Sequence, residues 1–260
     1  MNHTVTYTVQ HAVAEILLAS PPVNAITEAM MDQLLQHLDR AARDPAVKAV
    51  ILGSAVPGRF CAGLHLSEMG DASFEHKLSL VDKLYTGLFD AQTRLGKPSI
   101  AAVGGTARGG GMTLAVSCDM LIAADTATFG YPEIDVGVTP AIHYTHLPRI
   151  IGKHRAFELL FTGRSFAAAE ALQLGLVNEV VPEAQVLERA RAVARVLGAK
   201  SPLVMKLGRQ AFHKALDVEY RRGVASAVEH FGNVAATADA REGMAAFVDK
   251  RSPAWPSDKP

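Results

Sequence analysis

Cysteine is scarce in this 260-residue chain: Cys61 and Cys118 are the only two, both set in apolar stretches and in no CxxC spacing. That excludes a disulfide framework and a cysteine-based zinc site, and it fits a reducing compartment. Excess charge of either sign is missing too, since Lys plus Arg and Asp plus Glu are 26 each. No global field gathers nucleic acid or an anionic membrane surface. There is no apolar run of the roughly 18 residues that a membrane span requires, and the N-terminal MNHTVTYTVQ is too polar and alternating for a signal peptide. Low-complexity tracts are absent as well. These absences predict a cytoplasmic protein with no metal, no nucleic-acid partner and no membrane partner.

What is present is a globular balance, 49% hydrophobic and 20% charged, enough for one large domain or one domain with a helical appendage. Val5, Tyr7 and Val9, then Val13, Glu15 and Leu17, alternate with period two and predict a hairpin broken at Gln10 and His11. From Thr27 the period lengthens. Met30, Met31, Leu34, Leu35 and Leu38 share a helical face that Thr27 caps and Asp44-Pro45 ends. Strands over 46–53, 99–104 and 119–125 then alternate with helices over about 75–95 and from the glycines near 109 to Ser117, the pattern of an α/β layered core. After Pro140 the period is helical over 153–162, 167–174 and 183–197, interrupted by a short strand VNEVV at 177–181. Three more helices are expected over 201–216, 217–236 and 238–249, and the WPSDKP tail at 255–260 reads as disordered. Too few strands remain to cover those last helices, which points to packing on each other or on another subunit.

One stretch calls for chemistry. RGGGMTLA, 108–115, sets three glycines before an apolar helical run, and a helix N-terminus offers free N–H groups and a partial positive charge to an anion or a developing oxyanion. Packing of the helix against a strand would demand glycine equally well. A second turn, GRFCAGLHLSEM at 58–69, carries small residues at Cys61, Ala62 and Gly63 and leads into another helical start. Two such turns, each after a strand, can aim one N–H apiece at a single oxygen.

With these stretches in hand, the chain resembles the enoyl-CoA hydratase/isomerase, or crotonase, superfamily. FCAGLHL is similar to the family's FxAGxDL, ARGGGMTLAVSCDMLIAAD to ALGGGxELAxxCDxxxA, and FGYPEIDVG to FxxPExxxG. AEALQLGLVNEVVP and EGMAAFVDKRSPAW extend the likeness over nearly the whole chain. The resemblance implies an α/β fold, a spiral of ββα turns over residues 1–200 that binds acyl-CoA, with a helical region over 201–260 that builds a homotrimer or a dimer of trimers. It implies an acyl-CoA thioester substrate, with coenzyme A as part of that substrate and no separate cofactor. The backbone N–H groups of Leu64 and Gly110 become an oxyanion hole, and Glu133 becomes the catalytic carboxylate. Ala25, Ala62 and Leu66 become coenzyme A contacts, and Phe247 and Lys250 match positions that reach the coenzyme A of a neighbouring subunit.

Departures from the family pattern bear on the reaction. Hydratases of this kind hold a water between two glutamates, at the positions of Thr113 and, twenty residues on, Glu133. Thr113 cannot titrate near neutral pH, although its hydroxyl can bond a water or the substrate. His65 stands where an aspartate is usual; its imidazole can meet the coenzyme A or the substrate, although a structural role is the preferred reading. PAIHYTHLPR, 140–149, replaces a glycine-rich PGAGGTQRLPR, so that Ile142, His143 and Tyr144 reshape the acyl pocket and His143 becomes a candidate polar participant, with less claim for His146. A single glutamate favours isomerisation of 3-enoyl-CoA to 2-enoyl-CoA. Hydration of a 2-enoyl-CoA, another crotonase reaction such as decarboxylation or hydrolysis, and a noncatalytic coenzyme A-binding subunit are the alternatives.

Overall fold

A computed structural model describes residues 4–217 and 220–256. The N-terminal alternation becomes β1 (Val5–Gln10) and β2 (Val13–Leu18), paired antiparallel with Gln10 opposite Val13. His11 and Ala12 make the two-residue turn, both at positive φ, as tight hairpins demand. Thr27 accepts the Met30 N–H and caps α1 (Glu28–Arg43), which buries Met30, Met31, Leu34, Leu38 and Ala41. Three rounds of buried strand, short strand and helix follow. The first is β3 (Ala49–Ser54), β4 (Arg59–Cys61), α2 (Leu66–Asp71), α3 (Phe74–Asp82), one π-helical turn at Lys83–Gly87, and α4 (Leu88–Leu95). The second is β5 (Ser99–Val103), β6 (Thr106–Arg108) and α5 (Gly110–Val116). The third is β7 (Met120–Ala124), β8 (Thr128–Gly130) and a 3₁₀ turn at Pro132–Val136.

The remainder runs α6 (His143–Ile151), α7 (Lys153–Thr162), β9 (Ser165–Ala167), α8 (Ala168–Gln173), β10 (Glu179–Val181), α9 (Val186–Gly198), α10 (Pro202–Asp217), α11 (Tyr220–Ala235) and α12 (Ala238–Val248). The five longer strands and the three-residue β10 form one sheet in the order β1-β2-β3-β5-β7-β10, and the other three-residue strands form a second, β4-β6-β8-β9. β3, β5 and β7 pair in parallel, and their near-continuous apolar runs suit strands covered on both faces.

Several expectations change. The second sheet is new, because three residues carry no readable period. The helix expected over 75–95 is three segments around the π turn, the 177–181 strand shortens to β10, and α6 occupies what the sequence offers only as a reshaped pocket segment. Residues 257–260 of the WPSDKP tail, and 218–219 at the expected start of α11, lie outside the described residues.

Buried charge fastens the layers. Glu15 on β2 is buried and takes a two-pronged pair from Arg191 on α9 at 2.6 and 2.8 Å. At the start of β5 and β7, Asp119 accepts the Ser99 N–H, Arg209 Nε at 2.8 Å and His213 Nε2 at 3.1 Å, joining α10 to the sheet. Burial would raise the Asp119 carboxyl, yet the His213 and Arg209 bonds hold it below its ordinary value. Cys61 and Cys118 are buried and free, and burial pushes both thiols up to about 12, so neither is a nucleophile.

Candidate active site

Asn24 sets the geometry of the first turn. Its side chain bonds Ser54 Oγ and the Phe60 carbonyl and accepts the Ser20 N–H, which folds loop 20–26 against β4. Ala62 N–H then bonds the Val23 carbonyl, Ile26 N–H the Gly63 carbonyl at 2.7 Å, and His65 N–H the Ile26 carbonyl at 3.0 Å. This is a short parallel bridge in which Gly63 and His65 face Ile26, so the Leu64 N–H between them points to the other side. The second turn lies there. A Cβ on Gly63 would stand 3.3 Å from the Gly110 nitrogen. Gly110 is the first residue of α5, where backbone N–H groups have no partner within the helix. The two N–H groups that the sequence pairs as an oxyanion hole therefore belong to turns in van der Waals contact.

Each glycine of the triplet has its own reason. Gly109 sits at φ 49°, ψ −118°, a conformation side chains rarely adopt, and a Cβ there would lie 3.1 Å from Glu133 Oε1. On Gly110 it would meet Ile26 Cδ1 at 3.0 Å and Leu84 Cδ2 at 3.1 Å. On Gly111 it would fall 2.3 Å from the Cys61 carbonyl oxygen, because α5 packs directly on β4. Only the first faces the carboxylate, so ligand approach and tight packing both contribute.

Glu133 stands on the 3₁₀ turn after Pro132, and its carbonyl is held by Val138 N–H. Its Oε2 is sealed from solvent without a hydrogen-bond partner, while Oε1 abuts Gly109. Burial pushes the carboxyl up to about 7, opposed only by its own backbone N–H. Three tyrosines feel its charge: Tyr85 and Tyr131, raised chiefly by burial, and Tyr144 likewise. All three remain protonated at neutral pH. A carboxyl near 7 beside apolar walls is suited to taking and returning a proton.

A cavity of about 680 Å³ joins these groups, lined by Leu64, Gly109, Gly110 and Glu133 together with Ala25, Ala62, Leu66 and Phe247. Phe247 lines the pocket of its own chain and remains 60% exposed. Lys250 is not in the lining. It sits just past α12 at φ 55°, its N–H bonded to the Phe247 carbonyl and that of Arg251 to the Ala246 carbonyl, as the left-handed residue of a helix C-cap. Arg251 lines the cavity instead, forked onto Glu242. His65 also lines it, with Ser67 Oγ 3.1 Å from its Nδ1.

Thr113 is placed on the far side of α5's first turn. It lines a neighbouring chamber instead of the Glu133 cavity, and its hydroxyl lies 3.3 Å from His143 Nε2. His143 Nδ1 lies 3.1 Å from His146 Nε2, and the His143 ring packs edge-on to Tyr131 at 4.5 Å. Burial lowers both imidazoles, His143 well below its usual value and His146 to about 4, so both are neutral. His143 lines neither chamber, and it buttresses α5 from behind. Sequence reasoning misses Tyr85, which lines the Glu133 cavity, because its apolar neighbours read simply as a helix face. Among the described residues no group of three His, Cys, Asp or Glu could hold a metal, and no helix is long and apolar enough to cross a membrane.

Comparison with known proteins places this geometry. The enoyl-CoA hydratase/isomerase family pattern matches residues 8–258. A probable enoyl-CoA hydratase of Mycobacterium tuberculosis is 37% identical over 235 residues, 89% of this chain and 89% of that protein. The short-chain-enoyl-CoA hydratase of Clostridium acetobutylicum is 34% identical over 232 residues, 88% of each. The crystal structure of an enoyl-CoA hydratase/isomerase from Pseudoalteromonas atlantica superposes with a TM-score of 0.87 at 26% identity, covering 97% of this chain and 99% of that one. The architecture and the matched length agree, and the chain belongs to the enoyl-CoA hydratase/isomerase, or crotonase, family of acyl-CoA-processing enzymes.

Proposed function

We propose that this enzyme isomerises 3-enoyl-CoA to 2-enoyl-CoA with Glu133 as the single proton carrier. The observation that carries the reading is the lone carboxylate: Glu133 abuts the Gly109–Gly110 turn, while the residue at the other acid position, Thr113, is a hydroxyl engaged by His143. Glu133 takes a proton from C2, and the electron pair moves onto the thioester oxygen as a dienolate. Leu64 and Gly110 N–H groups stabilise that oxygen, each such donor being worth about 10²–10³ in rate. Glu133 returns the same proton at C4, so the double bond moves from C3–C4 to C2–C3 with no net change of atoms. Hydration of a 2-enoyl-CoA is the second reading, favoured by the hydratase names of the relatives.

Matched substrates separate the two. Conjugated-thioester absorbance rises from a 3-enoyl-CoA under isomerisation and falls from a 2-enoyl-CoA under hydration. Thr113→Glu adds a second carboxylate to α5 and is expected to raise the ratio of hydration to isomerisation by a few-fold, read as 3-hydroxyacyl-CoA by chromatography. The gain is modest because neighbouring carboxyls raise one another's pKa. A wild type that hydrates rapidly and is slowed by the substitution rules out the isomerase reading.

The last three helices fit assembly as a homotrimer or dimer of trimers in the cytoplasm, with residues 1–200 as the acyl-CoA-binding core. Leu203, Val204, Leu207, Phe212 and Leu216 on α10 are all more than half exposed, an apolar surface that a second copy would cover. Phe247 in the cavity lining gives the 201–260 region a part in binding as well. Light scattering of the purified chain tests the assembly.

A further inference from the structure

Next to the Glu133 cavity lies a second chamber of about 330 Å³. Leu84 and Tyr85 line both, and both sit on the single π-helical turn at Lys83–Gly87, a distortion that recurs at functional sites. α5 leads from one space to the other. Gly110 lines the first, while Thr113, Val116 and Ser117 line the second. At a rise of 1.5 Å per residue, Thr113 lies about 4.5 Å and Ser117 about 10 Å along the helix from Gly110. The chamber walls are largely apolar, with Leu88, Phe89, Ile142, Ile150 and Phe212 from α4, α6 and α10 and the residue before α6. Its far end is polar, closed by Asp119 and His213, whose side chains are paired to each other at 3.1 Å.

We propose that this chamber receives the distal part of the acyl chain and makes apolar acyl groups of about eight to ten carbons the preferred thioesters. The inference rests on the functional reading that seats the thioester oxygen between Leu64 and Gly110. An extended chain advances about 1.2 Å per bond. A four-carbon acyl group therefore ends near the level of Thr113, and one of eight to ten carbons reaches Ser117. The volume agrees. A water-sized group takes about 30 Å³ in the liquid, so the chamber holds on the order of ten groups of that size. Longer chains meet the Asp119–His213 pair, where burying methylenes against a charged, hydrogen-bonded cluster is unfavourable.

Calorimetric binding of saturated butyryl-, octanoyl-, decanoyl- and palmitoyl-CoA tests the proposal without any turnover. Affinity is expected to rise several-fold for each two carbons up to decanoyl, as burial of methylenes predicts, and to fall at palmitoyl. Val116→Phe fills the chamber from α5 and should lower the ratio of decanoyl to butyryl affinity at least tenfold. Ile150→Phe, on the partly exposed outer wall, gives the same readout if the first variant fails to fold. Equal affinity for butyryl and decanoyl thioesters in wild type, or a ratio unchanged in a folded chamber variant, overturns the chamber assignment while leaving the thioester site standing. Failure to bind any acyl-CoA overturns the thioester site and the chamber together.

Discussion

Glu133→Gln lowers turnover about 10²–10⁴-fold while acyl-CoA affinity stays within a few-fold of wild type, because the amide keeps the shape of the acid and loses the proton transfer. The pH dependence follows from the same group. Burial brings its carboxyl to about 7, so kcat/KM of the wild type rises with pH through that value as the base form is populated. Stability moves the opposite way. From an ordinary 4.5 in the unfolded chain to about 7 in the folded one, the native state binds the extra proton, so this group destabilises the fold as pH rises through that window. The full difference is on the order of 3 kcal/mol above pH 7. Glu133→Gln should accordingly melt at a higher temperature than wild type at pH 8, and the gap should close near pH 4. Wild-type turnover in the variant would remove Glu133 from the mechanism.

Gly109→Ala is the second large effect. The substitution forces a side chain into φ 49°, ψ −118° and places a methyl carbon 3.1 Å from Glu133 Oε1 and 3.3 Å from its Cδ. Relief of that contact has to move either the carboxylate, which displaces the proton carrier, or the turn that begins α5, which misaims the Gly110 N–H. A loss of about 10²–10³ in kcat is expected, the size associated with one oxyanion donor, together with about 1–3 kcal/mol of backbone strain. Gly58→Ala is the matched control, since Gly58 has φ 65° with nothing within 4 Å of the added carbon. It carries strain without touching the site and should lose stability while keeping kcat. Equal kcat for Gly109→Ala and wild type would sink the role assigned to this turn.

The sequence discloses more of the site than of the frame that holds it. Gly110, Leu64 and Glu133 lie in stretches whose residue types are unusual for their surroundings, and the three rounds of buried strand and helix show as changes of period. The second sheet is silent because β4, β6 and β8 are three residues each, too short for alternation to register, yet β4 and β6 are the strands that lead into the two turns. Thr113 shows a different limit of the sequence. Its position in the chain matches the missing acid, but side-chain direction depends on α6, whose His143 engages the hydroxyl and whose start after Pro140 has no clear helical signal. The left-handed backbone of Lys250, invisible to residue type, makes it a helix cap, while the next residue, Arg251, lines the cavity.

Phe247 closes the cavity that Ala25 opens, so the pocket draws its walls from both extremes of the chain. Such a site does not exist on a growing polypeptide until α12 has emerged and docked, and the protein gains its ligand at the last step of folding. Any thioester held there favours the docked form by mass action, in proportion to the logarithm of its concentration over its dissociation constant. Docking of α12 is thereby coupled to occupancy of the cavity, and protection of this helix from a protease is expected to rise with acyl-CoA concentration.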